Sequence, residues 1–218
     1  MRKIILTTIA LLMGLPVFAQ EPLFLINWGA HTFVPSFYQG KALPVGKADV
    51  RVSFDIIENG SSVSLRNKEV QWFLDERPIA AGPDLKQINI SLQNVEDRDA
   101  LVRVQVRNFK NRSDLVKTFL IPVTAPDIVI DLPQTSLTPG VTTVKSWPFF
   151  FNVSKLKDLV FSWLANGKET RGDVNMPNNL ELELPPEVAG SSINLAVTAQ
   201  NRFNLLESAR KALNLLVR

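Results

Sequence analysis

A tryptophan in a short strand, followed by a polar hairpin turn, occurs twice in this chain, and the two copies lie 91 residues apart. Val70-Gln71-Trp72-Phe73-Leu74-Asp75-Glu76-Arg77 aligns with Phe161-Ser162-Trp163-Leu164-Ala165-Asn166-Gly167-Lys168. The match continues through Leu85–Leu92 with Asn178–Leu184 and Leu101–Asn108 with Asn194–Asn201. Phe119, Ile121 and Val123 then align with Leu213, Leu215 and Val217, by which point the offset is 94. An offset of this size is one small sandwich domain, so the chain is confined to two copies of one unit.

The unit reads as all-β. Val50-Arg51-Val52-Ser53-Phe54-Asp55-Ile56, Ile88–Leu92, Val102–Val106 and Leu180–Leu184 alternate apolar and polar residues with period two, the pattern of half-buried strands. Turn signals at Asn59-Gly60, Ala81-Gly82-Pro83-Asp84, Asn166-Gly167 and Pro177-Asn178-Asn179 separate them. The expected fold is two tandem immunoglobulin/PKD-like β-sandwich domains, residues 20–125 and 126–218, joined at Ala125-Pro126. Trp72 and Trp163 stand where such domains place a strand tryptophan against the inter-sheet core, and are expected to be structural core. Leu205–Leu213 has helical spacing and strong helix formers. Its counterpart, Lys117–Val123, reads as a last strand, and the repeat decides for strand.

Residues 1–19 stand apart from the fold. A basic Met1-Arg2-Lys3, an apolar run from Ile4 to Gly14 and Val17-Phe18-Ala19 form the pattern of a secretory signal peptide cleaved after Ala19. The run is shorter than the roughly 20 apolar residues needed to cross a bilayer, so no stable membrane span is expected after cleavage. The expected location is periplasmic, cell-surface or extracellular. With no cysteine, the mature chain must rely on apolar burial.

Composition narrows the chemistry. Without cysteine, and with His31 as the one histidine, neither a Cys–His dyad nor a Cys/His zinc site is possible. Any Ser–His–Asp triad would have to use His31. Removing Arg2 and Lys3 from 24 basic residues leaves 22 against 21 acidic ones. The bases are dispersed, Arg103, Arg107, Lys110 and Arg112 being the densest group, so nucleic-acid binding is not expected. No cofactor and no metal are expected. Asn94, Glu96, Asp97 and Asp99 suggest at most a weak Ca²⁺ loop, and a solvated turn is the preferred reading. Glu181 and Glu183 share one strand face and cannot straddle a glycosidic bond. The chain is read as not an enzyme.

Two segments are candidates for binding. The stretch from Trp28 to Pro44 concentrates aromatics and prolines, and Phe33, Phe37, Tyr38 and Lys41 are its candidate contact residues. The competing and preferred expectation is that these aromatics cap the first domain or pack on the second. Arg171-Gly172-Asp173 would suit an integrin-type receptor if exposed, but a hairpin extension with Gly172 at positive φ is the expected role.

Pro35-Ser36-Phe37-Tyr38-Gln39-Gly40-Lys41-Ala42-Leu43-Pro44, the Trp72 hairpin, Pro126-Asp127-Ile128-Val129 and Trp147-Pro148-Phe149-Phe150-Phe151 ahead of Trp163 together carry a resemblance. The chain resembles exported tandem PKD/immunoglobulin-like domain proteins of candidate-phylum, Parcubacteria-like bacteria. The resemblance implies tandem sandwiches and export, and implies no activity. One departure is Asp75-Glu76, where Asp-Gly or Asn-Gly is usual. The resulting expectation is a non-enzymatic binding or structural module of the cell envelope or surface, accessory to a pilus or other surface assembly. Its partner would be a protein or an envelope polymer. The alternative is a periplasmic two-domain immunoglobulin-like chaperone that donates a strand to surface subunits.

Overall fold

The computed structural model describes residues 21–93, 95, 98–111, 113–132, 134 and 136–218. The expected signal peptide and Asn94, Glu96 and Asp97 of the acidic loop lie outside them. Eight strands form the first half: β1 (Leu23–Ala30), β2 (Asp49–Glu58), β3 (Ser61–Ser62), β4 (Glu69–Leu74), β5 (Arg77–Pro83), β6 (Gln87–Ser91), β7 (Ala100–Val106) and β8 (Leu115–Ile121). Seven form the second: β9 (Asp127–Asp131), β10 (Gly140–Phe149), β11 (Leu159–Ala165), β12 (Lys168–Thr170), β13 (Asn179–Leu184), β14 (Ser192–Asn201) and β15 (Asn204–Leu216).

In the first half β1, β2 and β6 form one antiparallel sheet, with the two-residue β3 paired antiparallel to the end of β2, and β5-β4-β7-β8 form the other. In the second half the sheets are β9-β10-β13 and β12-β11-β14-β15. Each half also sends the chain after its first strand across to pair in parallel with the end of its last, Val45 with Thr124 and Leu137 with Val217. Three strands against four, in the same order, define an immunoglobulin-like sandwich made twice. The inward residues of the alternating strands collect into two apolar clusters, one around Val52, Trp72 and Val104, the other around Val144, Trp163 and Val197. Trp72 and Trp163 are both buried. Each indole N–H donates to a carbonyl in the segment that follows, Leu85 O at 2.8 Å and Pro177 O at 3.1 Å.

The hairpins after the two tryptophans have the same shape despite different sequences. Asn166 and Gly167 take φ of 51° and 76°, Asp75 and Glu76 take 48° and 63°, all left-handed as a type I′ turn requires. Glu76 lacks glycine's freedom, and ion pairs hold the turn instead. The Arg98 guanidinium donates to both Asp75 carboxylate oxygens at 2.9 and 2.6 Å, and Arg103 donates to Glu76 at 2.9 Å. Ala81-Gly82-Pro83 is not a turn. It ends the edge strand β5, where the missing proline N–H forfeits no ladder bond if it faces outward. Leu205–Leu213 lies within β15, paired along β14, so pairing prevails over helix propensity.

β8 and β15 are edge strands, and each carries a solvent-exposed lysine at a register position shared with core residues. Lys117 stands opposite the buried Val104 and Lys211 opposite the buried Val197. Leu115, Phe119 and Ile121 flank Lys117 on the same inward register, as Ala209, Leu213 and Leu215 flank Lys211. A charge at such a position on an edge strand discourages a foreign strand from pairing there, because pairing would cover the ammonium. The Lys117→Val/Lys211→Val variant is therefore expected to keep its native circular dichroism but to aggregate on warming several degrees below wild type, as read by light scattering.

Three carboxylates of the first sandwich are held below the usual carboxylate range. Lys86 and Ser62 donate to Asp55, Arg98 and the Leu101 N–H donate to Asp75, and the Asn108 N–H and Gln105 donate to Asp114. A depressed folded-state value adds stability above the unfolded value, about 4, that is lost as pH falls through the folded value. Acidification below about pH 4 is thus expected to destabilise the first sandwich, measured as loss of hydrogen-exchange protection in β2, β4 and β7.

Candidate functional site

Residues 31–44 leave the end of β1 and reach the second sandwich as a strap. Thr32 Oγ1 donates to Leu43 O at 2.7 Å and closes the base of the loop. The Phe33 N–H donates to Phe151 O at 2.6 Å, and the Phe150 N–H donates back to Phe33 O at 2.7 Å. Phe150 has φ of 62°, uncommon for an aromatic residue, and this bend turns its backbone toward Phe33. The Tyr38 ring meets Phe149 and Phe150 edge to face, with centroids 5.6 and 5.8 Å away. Gly40 is required beneath it, since a Cβ there would lie 2.4 Å from the Tyr38 ring, which its two phenylalanine neighbours hold in place.

One strap residue opens outward instead. Phe37 is 56% exposed and touches Trp147 edge to face at 4.9 Å. Trp147 and Phe149 project from one face of β10, and Val129 stands opposite Trp147 on β9. Together with Asp131, Leu132 and Gln134 they line an open cleft of about 610 Å³. The Trp147 Nε1–H donates to Asp131 Oδ2 at 3.2 Å, which fixes the indole plane. Lys41 is absent from the lining. Its ammonium lies 3.6 Å from the centroid of Trp28 on β1, and burial there pulls its pKa below the usual lysine value.

The arrangement can hold a ligand by apolar contact and a few hydrogen bonds. Among the described residues it brings together no nucleophile and base. Among the described residues no group of three His, Cys, Asp or Glu could hold a metal ion. His31 is exposed at the start of the strap. The Arg171-Gly172-Asp173 turn differs from expectation: Gly172 is not in the left-handed region. A Cβ at Gly172 would lie 3.0 Å from the Pro177 and Asn179 carbonyl oxygens and 3.2 Å from the Trp163 ring, so close approach demands the glycine. Asp173 Oδ1 accepts from the Asn175 and Met176 N–H groups at 2.6 and 2.9 Å, and the carboxylate thus serves its own turn.

No protein-family model matches the chain, and no curated protein does. Among solved structures it is similar to the fibronectin(III)-like modules of Clostridium thermocellum CbhA, at 12% identity over 89% of this chain and 94% of that one, with a TM-score of 0.32. It is also similar to three N-terminal domains of the bacteriophage RB49 highly immunogenic outer capsid protein, at 7% identity over 90% of this chain and 59% of that one, with a TM-score of 0.48. A third similarity is to SGBP-B of the Bacteroides ovatus mixed-linkage glucan utilization locus, at 16% identity over 88% of this chain and 47% of that one, with a TM-score of 0.28. The assignment to the immunoglobulin-like class rests on strand order, not on these likenesses.

Proposed function

We propose that this chain is a non-enzymatic, exported binding or structural module of the cell envelope or surface, divided at Ala125-Pro126 into domains 20–125 and 126–218. Its partner, a protein or an envelope polymer, is held in the Phe37–Trp147 cleft. The observation that carries this reading is the division of labour along the strap. Phe33 and Tyr38 are spent on the second sandwich and Lys41 on Trp28, whereas Phe37 keeps an open aromatic face beside an indole already fixed by Asp131. A rigid aromatic surface with a polar rim loses little entropy on contact. The chaperone alternative needs a donor edge, and the exposed Lys117 at a core-side register position of β8 speaks against that edge.

The test is envelope association of the exported Phe37→Ser/Val129→Ser variant against wild type, with thermal melting to check folding. Loss of two central contacts should weaken association by about tenfold or more. Unchanged association with unchanged melting overturns the site.

A further inference from the structure

We propose that Asn59 is a self-modifying site, where the Gly60 nitrogen displaces the side-chain amide and the turn ages to aspartate and isoaspartate. Asparagine followed by glycine is the pair most open to this reaction, because glycine has no Cβ to shield its nitrogen. The chain holds two such pairs, Asn59-Gly60 and Asn166-Gly167. Both occupy left-handed turns, with an asparagine φ of 51° in each and glycine φ of 77° and 76°. A Cβ at either glycine would meet nothing within 4 Å, so solvent reaches both turns. The two pairs are thus alike in residue type, backbone and access, and they differ in how the asparagine side chain is held.

Asn166 is locked. Its Oδ1 accepts from the Asn194 N–H at 2.9 Å, and its own N–H donates to Asn194 O at 2.7 Å. The carboxamide cannot swing onto the Gly167 nitrogen without breaking that bond. The equivalent turn of the first sandwich uses the same device, Asp75 Oδ1 accepting from the Leu101 N–H at 3.3 Å. Asn59 has no counterpart of this lock. It is exposed, and among the described residues its carboxamide enters no hydrogen bond. The strand that closes its turn, β3, pairs only Ile57 with Ser62 and Glu58 with Ser61, whereas β12 makes three pairs. Opening the Glu58–Ser61 pair alone frees Asn59 to rotate, and fraying of this kind is among the easiest local openings of a folded chain. Deeper in the hairpin, Ser62 Oγ donates to Asp55 and the Val63 N–H donates to Ile56 O, so the opening stops there.

The reaction consumes only water. The Gly60 nitrogen gives up its proton and bonds to Asn59 Cγ. The Cγ–Nδ2 bond breaks, and Nδ2 leaves as ammonia with that proton. The resulting succinimide then takes up one water. Cleavage of the new Cγ–N bond yields aspartate, and cleavage of the original backbone C–N bond yields isoaspartate, in which the main chain runs through the side chain and is one atom longer. Either product places a new carboxylate next in the chain to Glu58, whose own carboxylate pairs with Lys110. The β2–β3 tip therefore records the age of the molecule as negative charge.

Trypsin separates the two sites cleanly, because residues 52–66 and 158–168 lie between basic residues and each holds a single asparagine. Purified protein is incubated in neutral buffer and digested at intervals, and the amide-to-acid mass shift and isoaspartate content of each peptide are followed by mass spectrometry. In the folded protein the 52–66 peptide should convert about tenfold faster than the 158–168 peptide, which must first break the Asn194 bond and open a longer hairpin. In guanidinium chloride, where neither turn exists, the two rates should converge. Absence of conversion in 52–66, or equal conversion of the two peptides in the folded protein, overturns the proposal. So does a preference for 52–66 that persists undiminished in denaturant, because flanking sequence and not the lock would then be its cause.

Discussion

Trp163→Ala is expected to destabilise the second sandwich by about 3–5 kcal/mol while leaving the first unchanged. The indole is fully enclosed among Val144, Leu195 and Val197, and it closes the floor beneath the Gly172 turn. Removing it opens a large cavity and leaves Pro177 O without its donor, a further loss of about 1 kcal/mol. Against a total stability of about 5–15 kcal/mol, that is enough to unfold the domain under mild conditions. Trp163→Phe should cost clearly less, because the ring is kept and mainly the hydrogen bond is lost. Urea unfolding of each variant, followed by hydrogen exchange in β11 and β14, measures the difference. Equal midpoints for the two variants would show that the packing argument is wrong.

Glu207→Leu is expected to cost about 3 kcal/mol, an effect near that of a core truncation from a residue between two exposed ones. The substitution removes the shared acceptor of the Asn152 N–H and of the buried Asn201 Nδ2, which keeps only its longer bond to Asn152 O at 3.3 Å. Glu207→Gln retains one acceptor oxygen and should cost about half as much. The distinguishing readout is local: amide exchange across Phe203–Leu206 should rise in Glu207→Leu well before global unfolding. Protection unchanged there would mean that the bulge in β15, where the register shifts between Gln200 and Asn201, is held by β14 pairing alone.

The all-β class, the two cores and the buried tryptophans were legible because period-two alternation and the repeat reinforce each other where they overlap, as at Ile88–Leu92 with Leu180–Leu184. Register mattered less than it first seems: Asp75-Glu76 departs from turn chemistry, yet the flanking strands impose the same turn and ion pairs stabilise it. The strap's aromatics could be singled out as a group, but not sorted. Which of Phe33, Phe37 and Tyr38 is spent on packing depends on Phe149, Phe150 and Phe151, more than 100 residues away in sequence. Trp147 and Asp131 drew no attention as a site because their pairing exists only across β9 and β10. The tip of the β14–β15 hairpin was hidden for a different reason. Leu205 and Leu206 look like one face of a helix in sequence, and only a bulge anchored by Glu207 turns them outward.

The bonds between Phe33 and Phe151 give the junction a mechanical character. A single covalent tether between β8 and β9 would let two beads swing and stretch apart under tension. A second attachment, reaching from the end of β1 across to the end of β10, turns that tether into a closed loop with two arms. Pulling on the ends then loads both arms together, and the separation of the two sandwiches stays constant until the hydrogen bonds and ring contacts of the strap rupture. Up to that force the protein behaves as a spacer of fixed length, and beyond it as a flexible pair.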